Sequence, residues 1–150
     1  MQLLLGIDPG KSGGAVLLSE DHTVVRFIAF KKGTTLDVIE WIEDNKKEIV
    51  FCYLEGVGAR PTDGVVPAFK FGQNYGWWEC LIQVSRIPFQ RVYPLKWQTY
   101  MSCRTGGNKS ISKARAQELF PKIKVTHAIA DALLIAEYGR RQSRPNASDL

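Results

Sequence analysis

The order of hydrophobic patterns along these 150 residues predicts an α/β fold: a five-stranded mixed sheet with helices on both faces. Three observations carry that reading. Two apolar runs, Leu3-Leu4-Leu5-Gly6-Ile7 and Ile49-Val50-Phe51-Cys52-Tyr53-Leu54, have the length of buried strands. A helical segment precedes the second run, and strand–helix–strand order favours parallel pairing of the two. The last third of the chain carries a long, nearly uncharged helical stretch, Ala128 to Ala136, long enough to cover such a sheet.

Each element has its own local signal. Residues 2–8 read as the first buried strand. Ala15–Ser19 and Thr23–Phe30 read as two more, joined by the turn Glu20-Asp21-His22 into an antiparallel meander. Thr34 or Thr35 caps a helix to about Lys47, whose apolar side is expected to be Leu36, Ile39, Trp41 and Ile42. The strand to Glu55 follows, then a loop from Gly56 to Gly64 rich in Gly, Pro and Asp. Pro67 suits the first turn of a helix to about Val84. Phe89–Tyr93 is the fifth strand. Residues 94–108 read as a short helix and a loop, Thr105-Gly106-Gly107-Asn108. Ser110 or Ser112 is expected to start a helix to Leu119, which Pro121 stops. The last helix spans about 127–142. The whole reads as one domain, 1–142, with 143–150 a flexible tail.

Composition narrows the function classes. Hydrophobic content of 45% and charged content of 23% are ordinary for a globular domain. No apolar run approaches a membrane span, and no basic region precedes the first apolar run, so that run reads as a strand rather than a signal. Cys52, Cys80 and Cys103 are odd in number and widely spaced, which fits a reducing compartment and gives no zinc pattern. The expected location is therefore the cytoplasm. Gly10-Lys11-Ser12 resembles the end of a P-loop, but Leu5 stands where the first glycine is required.

Charge is unevenly spread. Residues 1–55 carry a net charge of −3, whereas residues 86–124 carry +8, nine basic side chains against Glu118 alone. Aromatics such as Tyr93, Trp97, Tyr100 and Phe120 lie among those basic residues. Basic groups interleaved with aromatics suit a polyanion whose bases stack, although a solvated basic face over an aromatic core has the same composition.

Three carboxylates stand out by their neighbours. Asp8 and Glu55 each end an apolar strand, and Asp131 sits in the last apolar helix. A carboxylate among apolar groups is costly unless its charge is compensated. Three in one small domain point to a shared partner, most simply divalent cations.

With these carboxylates come Gly6-Ile7-Asp8-Pro9-Gly10, Ser12-Gly13-Gly14, Leu54-Glu55, Phe69-Lys70-Phe71-Gly72-Gln73-Asn74-Tyr75-Gly76 and Ala130-Asp131-Ala132-Leu133-Leu134-Ile135-Ala136. In that order, from about Leu3 to Gly139, the chain resembles the RuvC-like Holliday-junction resolvases, especially the short bacteriophage versions. The resemblance implies a ribonuclease H-like fold and a homodimeric, magnesium-dependent endonuclease that cuts four-way DNA junctions by paired nicks. The ends left would be 5′-phosphate and 3′-hydroxyl. It implies two Mg²⁺ ions per site, with Mn²⁺ able to substitute, and a host-cell cytoplasmic location if the chain is phage-encoded. Asp8 is the expected bridging ligand, flanked by Glu55 and Asp131. Some relatives have a further acidic residue near the start of the last helix. Here His127 occupies that region, one turn before Asp131, as the fourth candidate for catalysis and metal binding.

The resemblance extends to DNA and to a partner copy. Phe69 is the first choice for contact with opened bases at the crossover. Lys109, Lys113, Arg115, Lys122 and Lys124 are candidate phosphate contacts. Gly72, Gly76 and Cys80 form a strip of small residues that serves either a dimer interface or packing against the sheet. Two other functions share these features: a related ribonuclease H-like nuclease acting on other branched DNA or RNA, and a junction-binding protein without catalysis. Actin-like ATPases and sugar kinases share the N-terminal pattern but need a second domain to close over nucleotide.

Overall fold

The computed structural model describes residues 1–31 and 33–143, so residues 144–150 of the expected tail lie outside the described part. Five strands, β1 (Leu3–Asp8), β2 (Gly14–Ser19), β3 (Val24–Ala29), β4 (Ile49–Glu55) and β5 (Phe89–Val92), form one sheet in the order β3-β2-β1-β4-β5. β2 runs antiparallel to both β1 and β3, while β4 runs parallel to β1 and β5. The helices are α1 (Thr35–Asn45), α2 (Val65–Val84), α3 (Pro94–Tyr100), α4 (Lys109–Leu119) and α5 (His127–Ser143). The α/β fold with a five-stranded mixed sheet is thus as the sequence predicts. Among the described residues no helix is long and apolar enough to cross a membrane.

Strand alternation divides the core in two. Leu3, Leu5 and Ile7 of β1 join Cys52 and Leu54 of β4 under α1 and α2, with Val38, Ile42, Trp78 and Ile82. Leu4 and Tyr53 face the other side, against Trp97 of α3, Ala116 of α4 and the buried face of α5. Asp8 and Glu55 keep step with Leu4 and Tyr53, so both belong to the α5 side. Glycine lets α5 lie close. A Cβ at Gly6 would stand 2.4 Å from the Ala132 carbonyl oxygen, and one at Gly14 would stand 2.6 Å from that of Ala128.

Several local expectations need correction. Thr34 caps α1 and Asp37 completes a capping box, but Leu36 is 60% exposed and Ile39 also faces outward. The buried stripe is Val38, Ile42 and Asn45, with Trp41 half-buried beside it. At 100° per residue Leu36 lies nearly opposite Val38, so one flat sheet cannot bury both. The cap of α4 is Asn108, whose side chain accepts from the Ser110 amide at 3.1 Å, and neither Ser110 nor Ser112 plays that part. α2 begins at Val65, two residues before Pro67, which occupies the first turn where an amide proton has no helical partner. Gly72 and Gly76 face open space: an added Cβ at either meets nothing within 4 Å, so the small strip does not pack against the sheet.

The end of the sheet away from Asp8 is tied by a buried ion cluster. Glu137 of α5 is fully buried and accepts hydrogen bonds from Arg140 at 2.7 and 2.8 Å and Arg141 at 2.8 Å. His22 Nδ1 meets the same carboxylate at 2.9 Å, and its Nε2 meets the Leu119 carbonyl oxygen at 2.9 Å. Its ring stacks on Phe120, with centroids 4.4 Å apart. Burial alone would raise the Glu137 carboxyl, but the bonds from Arg140, Arg141 and His22 outweigh it and hold the group down at about 2.

A carboxyl held below its ordinary 4.5 contributes stability in full above that value, and the contribution fades as pH falls towards 2. Glu137→Gln should therefore cost about 3 kcal/mol at neutral pH, because two guanidinium groups lose a buried partner. The loss should shrink in acid. Urea unfolding at pH 7, 4 and 2.5 measures both, and a pH-independent difference would contradict the assignment.

Candidate metal centre

Three elements deliver the acidic cluster. β1 ends on Asp8, β4 ends on Glu55, and Asp131 lies just over one turn into α5. Parallel pairing brings the C-terminal ends of β1 and β4 side by side, with Ile7 opposite Leu54. One carboxylate oxygen from each of the three residues lies within 4.8 Å of the others. They line an open cleft with Pro9, Val57, Arg60, Phe71, Gln98, Arg104 and Lys109.

The electrostatics are those of an unbalanced site. Burial raises Asp8 well above the usual carboxylate range, and the neighbouring Glu55 and Asp131 raise it further. Burial, with help from Asp131, pushes Glu55 up to about 7, against the opposing hydrogen bond from Trp97 and the charge of Lys109. Burial also raises Asp131, opposed by a hydrogen bond from Ser112 and by the charges of Lys109 and His127. Lys109, the first residue of α4, thus acts on all three groups. The donor set is all carboxylate oxygen, the chemistry that Mg²⁺ and Mn²⁺ prefer, so the residues fit a divalent metal.

The surrounding chain fixes these positions. The Gly10 amide donates to Asn74 Oδ1 at 2.8 Å, pinning the loop after Asp8 to α2. The buried Trp97 indole donates from Nε1 to Glu55 Oε2 at 2.9 Å.

The other expected site residues are placed unevenly. His127 is exposed at the first position of α5, outside the 4.8 Å group, yet near enough for its charge to act on Asp131. Phe69 is 68% exposed on the first turns of α2, while Phe71 lines the cleft. Lys113 is half-buried on α4. Arg115 is engaged elsewhere, donating to the Met101 carbonyl at 2.9 Å and to Glu118 at 3.0 Å. Lys122 lines a groove with His22 and Phe120, and Lys124 is exposed in the segment leading to α5. Arg60 and Arg104 line the cleft and were not singled out in sequence, since neither falls in a motif. Arg104 carried one signal, its place in the basic segment 86–124, and each of the two lies in a Gly-containing loop that follows β4 in the chain.

No family's sequence model and no curated protein matches the chain. Solved structures do. Thermus thermophilus RuvC in complex with a Holliday junction substrate superposes with a TM-score of 0.67 at 15% identity, covering 95% of this chain and 97% of that one. A second Thermus thermophilus RuvC structure gives 0.63 at 13% identity, covering 94% and 96%. At such identities the likeness establishes the fold, the ribonuclease H-like architecture of RuvC, over nearly the whole chain.

An acid raised above its ordinary value favours the protein only while neutral. The contribution of Glu55 is present below 4.5 and lost as pH rises through about 7. Metal-free Glu55→Gln should thus be more stable than wild type at pH 8, by about 2 kcal/mol, with the gap closing towards pH 4.5. Added Mn²⁺ should raise the wild-type melting temperature and leave Asp8→Asn nearly unmoved. Thermal unfolding with and without chelator tests both, and a metal-free wild type as stable as Glu55→Gln at pH 8 would exclude the strained cluster.

Proposed function

We propose that this chain is a structure-selective endonuclease that resolves four-way DNA junctions by paired, metal-dependent nicks leaving 5′-phosphate and 3′-hydroxyl ends. The observation that carries the reading is the convergence of Asp8, Glu55 and Asp131 within 4.8 Å, at the end of a RuvC-type sheet and beside Lys109. The solved relative that superposes at 0.67 was captured on a Holliday junction substrate. In this reading residues 1–142 act as one cytoplasmic nuclease domain, and Asp8, Glu55 and Asp131 would hold the metal.

Held by Asp8, Glu55 and Asp131, two Mg²⁺ ions, or Mn²⁺ in their place, would supply Lewis acidity at the phosphate and lower the pKa of an attacking water. The chain's own groups do the rest. Lys109, Arg60 and Arg104 draw the phosphate backbone into the cleft, against the repulsion of the acidic floor. Lys113, Arg115, Lys122 and Lys124 extend the positive surface along the arms of the junction, although Arg115 must exchange part of its bonding to Glu118 to do so. Phe69, exposed, stacks against an opened base at the crossover. His127 orients water or a proton near Asp131.

Asp8→Asn should abolish cleavage of a synthetic four-way junction in Mg²⁺ and preserve or tighten binding, because it removes a ligand and a charge that repels phosphate. Gel-shift and cleavage on one junction measure both, beside a flap and an RNA–DNA hybrid. Full cleavage by Asp8→Asn sinks the site. Preferential cutting of the flap or hybrid moves the substrate to another class of branched nucleic acid.

Paired nicks call for two active sites. The open face along Gly72 and Gly76 supports a homodimer packed through α2, since helix backbones approach closely where side chains are small. Gly76→Leu is expected to halve the mass seen by light scattering. A dimer that survives the change places the interface elsewhere.

His127→Ala should lower the cleavage rate by about tenfold with little effect on binding. His127→Asp should retain activity in Mg²⁺, because it offers an oxygen to the metal. Single-turnover rates separate the cases, and an unchanged rate for His127→Ala reduces the ring to a surface group.

A further inference from the structure

The indole of Trp97 is fully buried in α3, and its N–H points at Glu55 rather than into the apolar core. Among the described residues it is the one hydrogen-bond donor to this carboxylate, and it engages Oε2 alone. Burial of an indole does not by itself require such a partner in this fold: Trp78 Nε1 is buried and unpartnered on the other face of the sheet.

The geometry follows from the chain. Glu55 pairs with Val92 at the end of β5, and two residues later Pro94 starts α3 at its first position. Trp97 then falls one turn inside the helix, where it packs in the same cluster as Val92, Met101 and Cys103. An indole donates one hydrogen bond, accepts none and carries no charge. A lysine or arginine in its place would hold the carboxylate equally well but cancel the charge that a cation needs.

We infer that Trp97 is a positioning residue for the metal centre, fixing Glu55 through Oε2 so that Oε1 is presented to a divalent cation. The inference rests on the metal reading of the carboxylate cluster. The indole is held rigidly by its packing, so the rotamer of Glu55 is set before any metal arrives. Partners of this kind behind metal ligands are worth about 10- to 100-fold in metal affinity or activity when lost.

Trp97→Phe keeps an apolar ring and removes the donor. Calorimetric Mn²⁺ titration of the free protein should show affinity reduced about tenfold or more. Junction affinity in chelator should stay within about twofold of wild type, and the cleavage defect should fall on kcat rather than KM. A folded Trp97→Phe that binds Mn²⁺ as wild type does overturns this inference alone. Wild-type protein that takes up no Mn²⁺ in a manner abolished by Asp8→Asn overturns the metal reading, and this inference with it. A second measurement leaves Trp97 in place: in nitrogen-resolved NMR spectra, one of the four indole N–H signals should move on Glu55→Gln and on Mg²⁺ titration of wild type. Four stationary signals in both experiments overturn the inference even if Trp97→Phe fails to fold.

Discussion

Three carboxylates share a space 4.8 Å across, largely removed from water, and the cost of burying them there, to which mutual repulsion adds at Asp8 and Glu55, is the constraint on which the surrounding architecture turns. Like charges so close would drift apart on flexible supports. Here two are strand ends locked by parallel pairing and the third rides on a helix pressed against the sheet. The close approach of that helix depends on Gly6 and Gly14, where even a methyl group would strike α5 backbone. The layer of α3 and α4 adds a neutral donor, Trp97 to Glu55, the Ser112 hydroxyl beside Asp131, and one cation, Lys109. The fold therefore holds the charges together without neutralising them.

The contrast within α5 sharpens this. Asp131 and Glu137 are six residues apart on one helix, both among apolar neighbours. Glu137 is matched by two guanidinium groups and a histidine, and its carboxyl is held at about 2. Asp131 meets a hydroxyl and more distant cations, and its carboxyl stays raised. A buried charge that the protein balances itself belongs to the scaffold. One left unbalanced needs a proton or a cation as its partner. Burial alone did not separate the two; the partners did.

That difference also explains how much was legible in the sequence. The strands, their order and the three site carboxylates could be read because they rest on local pattern: apolar runs of strand length, a carboxylate at each end, a helix apolar over nine residues. That Asp8 and Glu55 share one face follows only from the register of the two strands, with Gly6 opposite Tyr53. Contacts made across the chain were not legible. Nothing near Trp97 announces a bond to a residue 42 positions earlier, and nothing near Asn74 announces its hold on Gly10, 64 positions away. Helix faces were misread for a related reason. α1 offers apolar groups on two sides, and only the sheet decides that Val38 and Ile42 go inward while Leu36 stays out. Arg115 fits a phosphate contact by charge and position, yet its side chain is engaged with Met101 and Glu118.

The same cleft joins two opposed fields. Its floor is acidic and its rim carries Arg60, Arg104 and Lys109. Basic groups alone would attract any polyanion, and acidic groups alone would repel it. A ligand that satisfies both must be anionic where it meets the rim and must arrive with cations where it meets the floor. A phosphodiester backbone with bound divalent metal has that distribution of charge. The exposed strip along Gly72 and Gly76 and the exposed ring of Phe69 lie on the one helix, α2, that flanks this cleft through Phe71. On the proposed reading, α2 would link the surface offered to a partner copy with the surface offered to bases, so a change in how two copies pack would also move the ring of Phe69 relative to the carboxylates. Coupling of that kind would let the shape of a branched substrate, rather than its sequence, decide whether both sites are aligned for cutting.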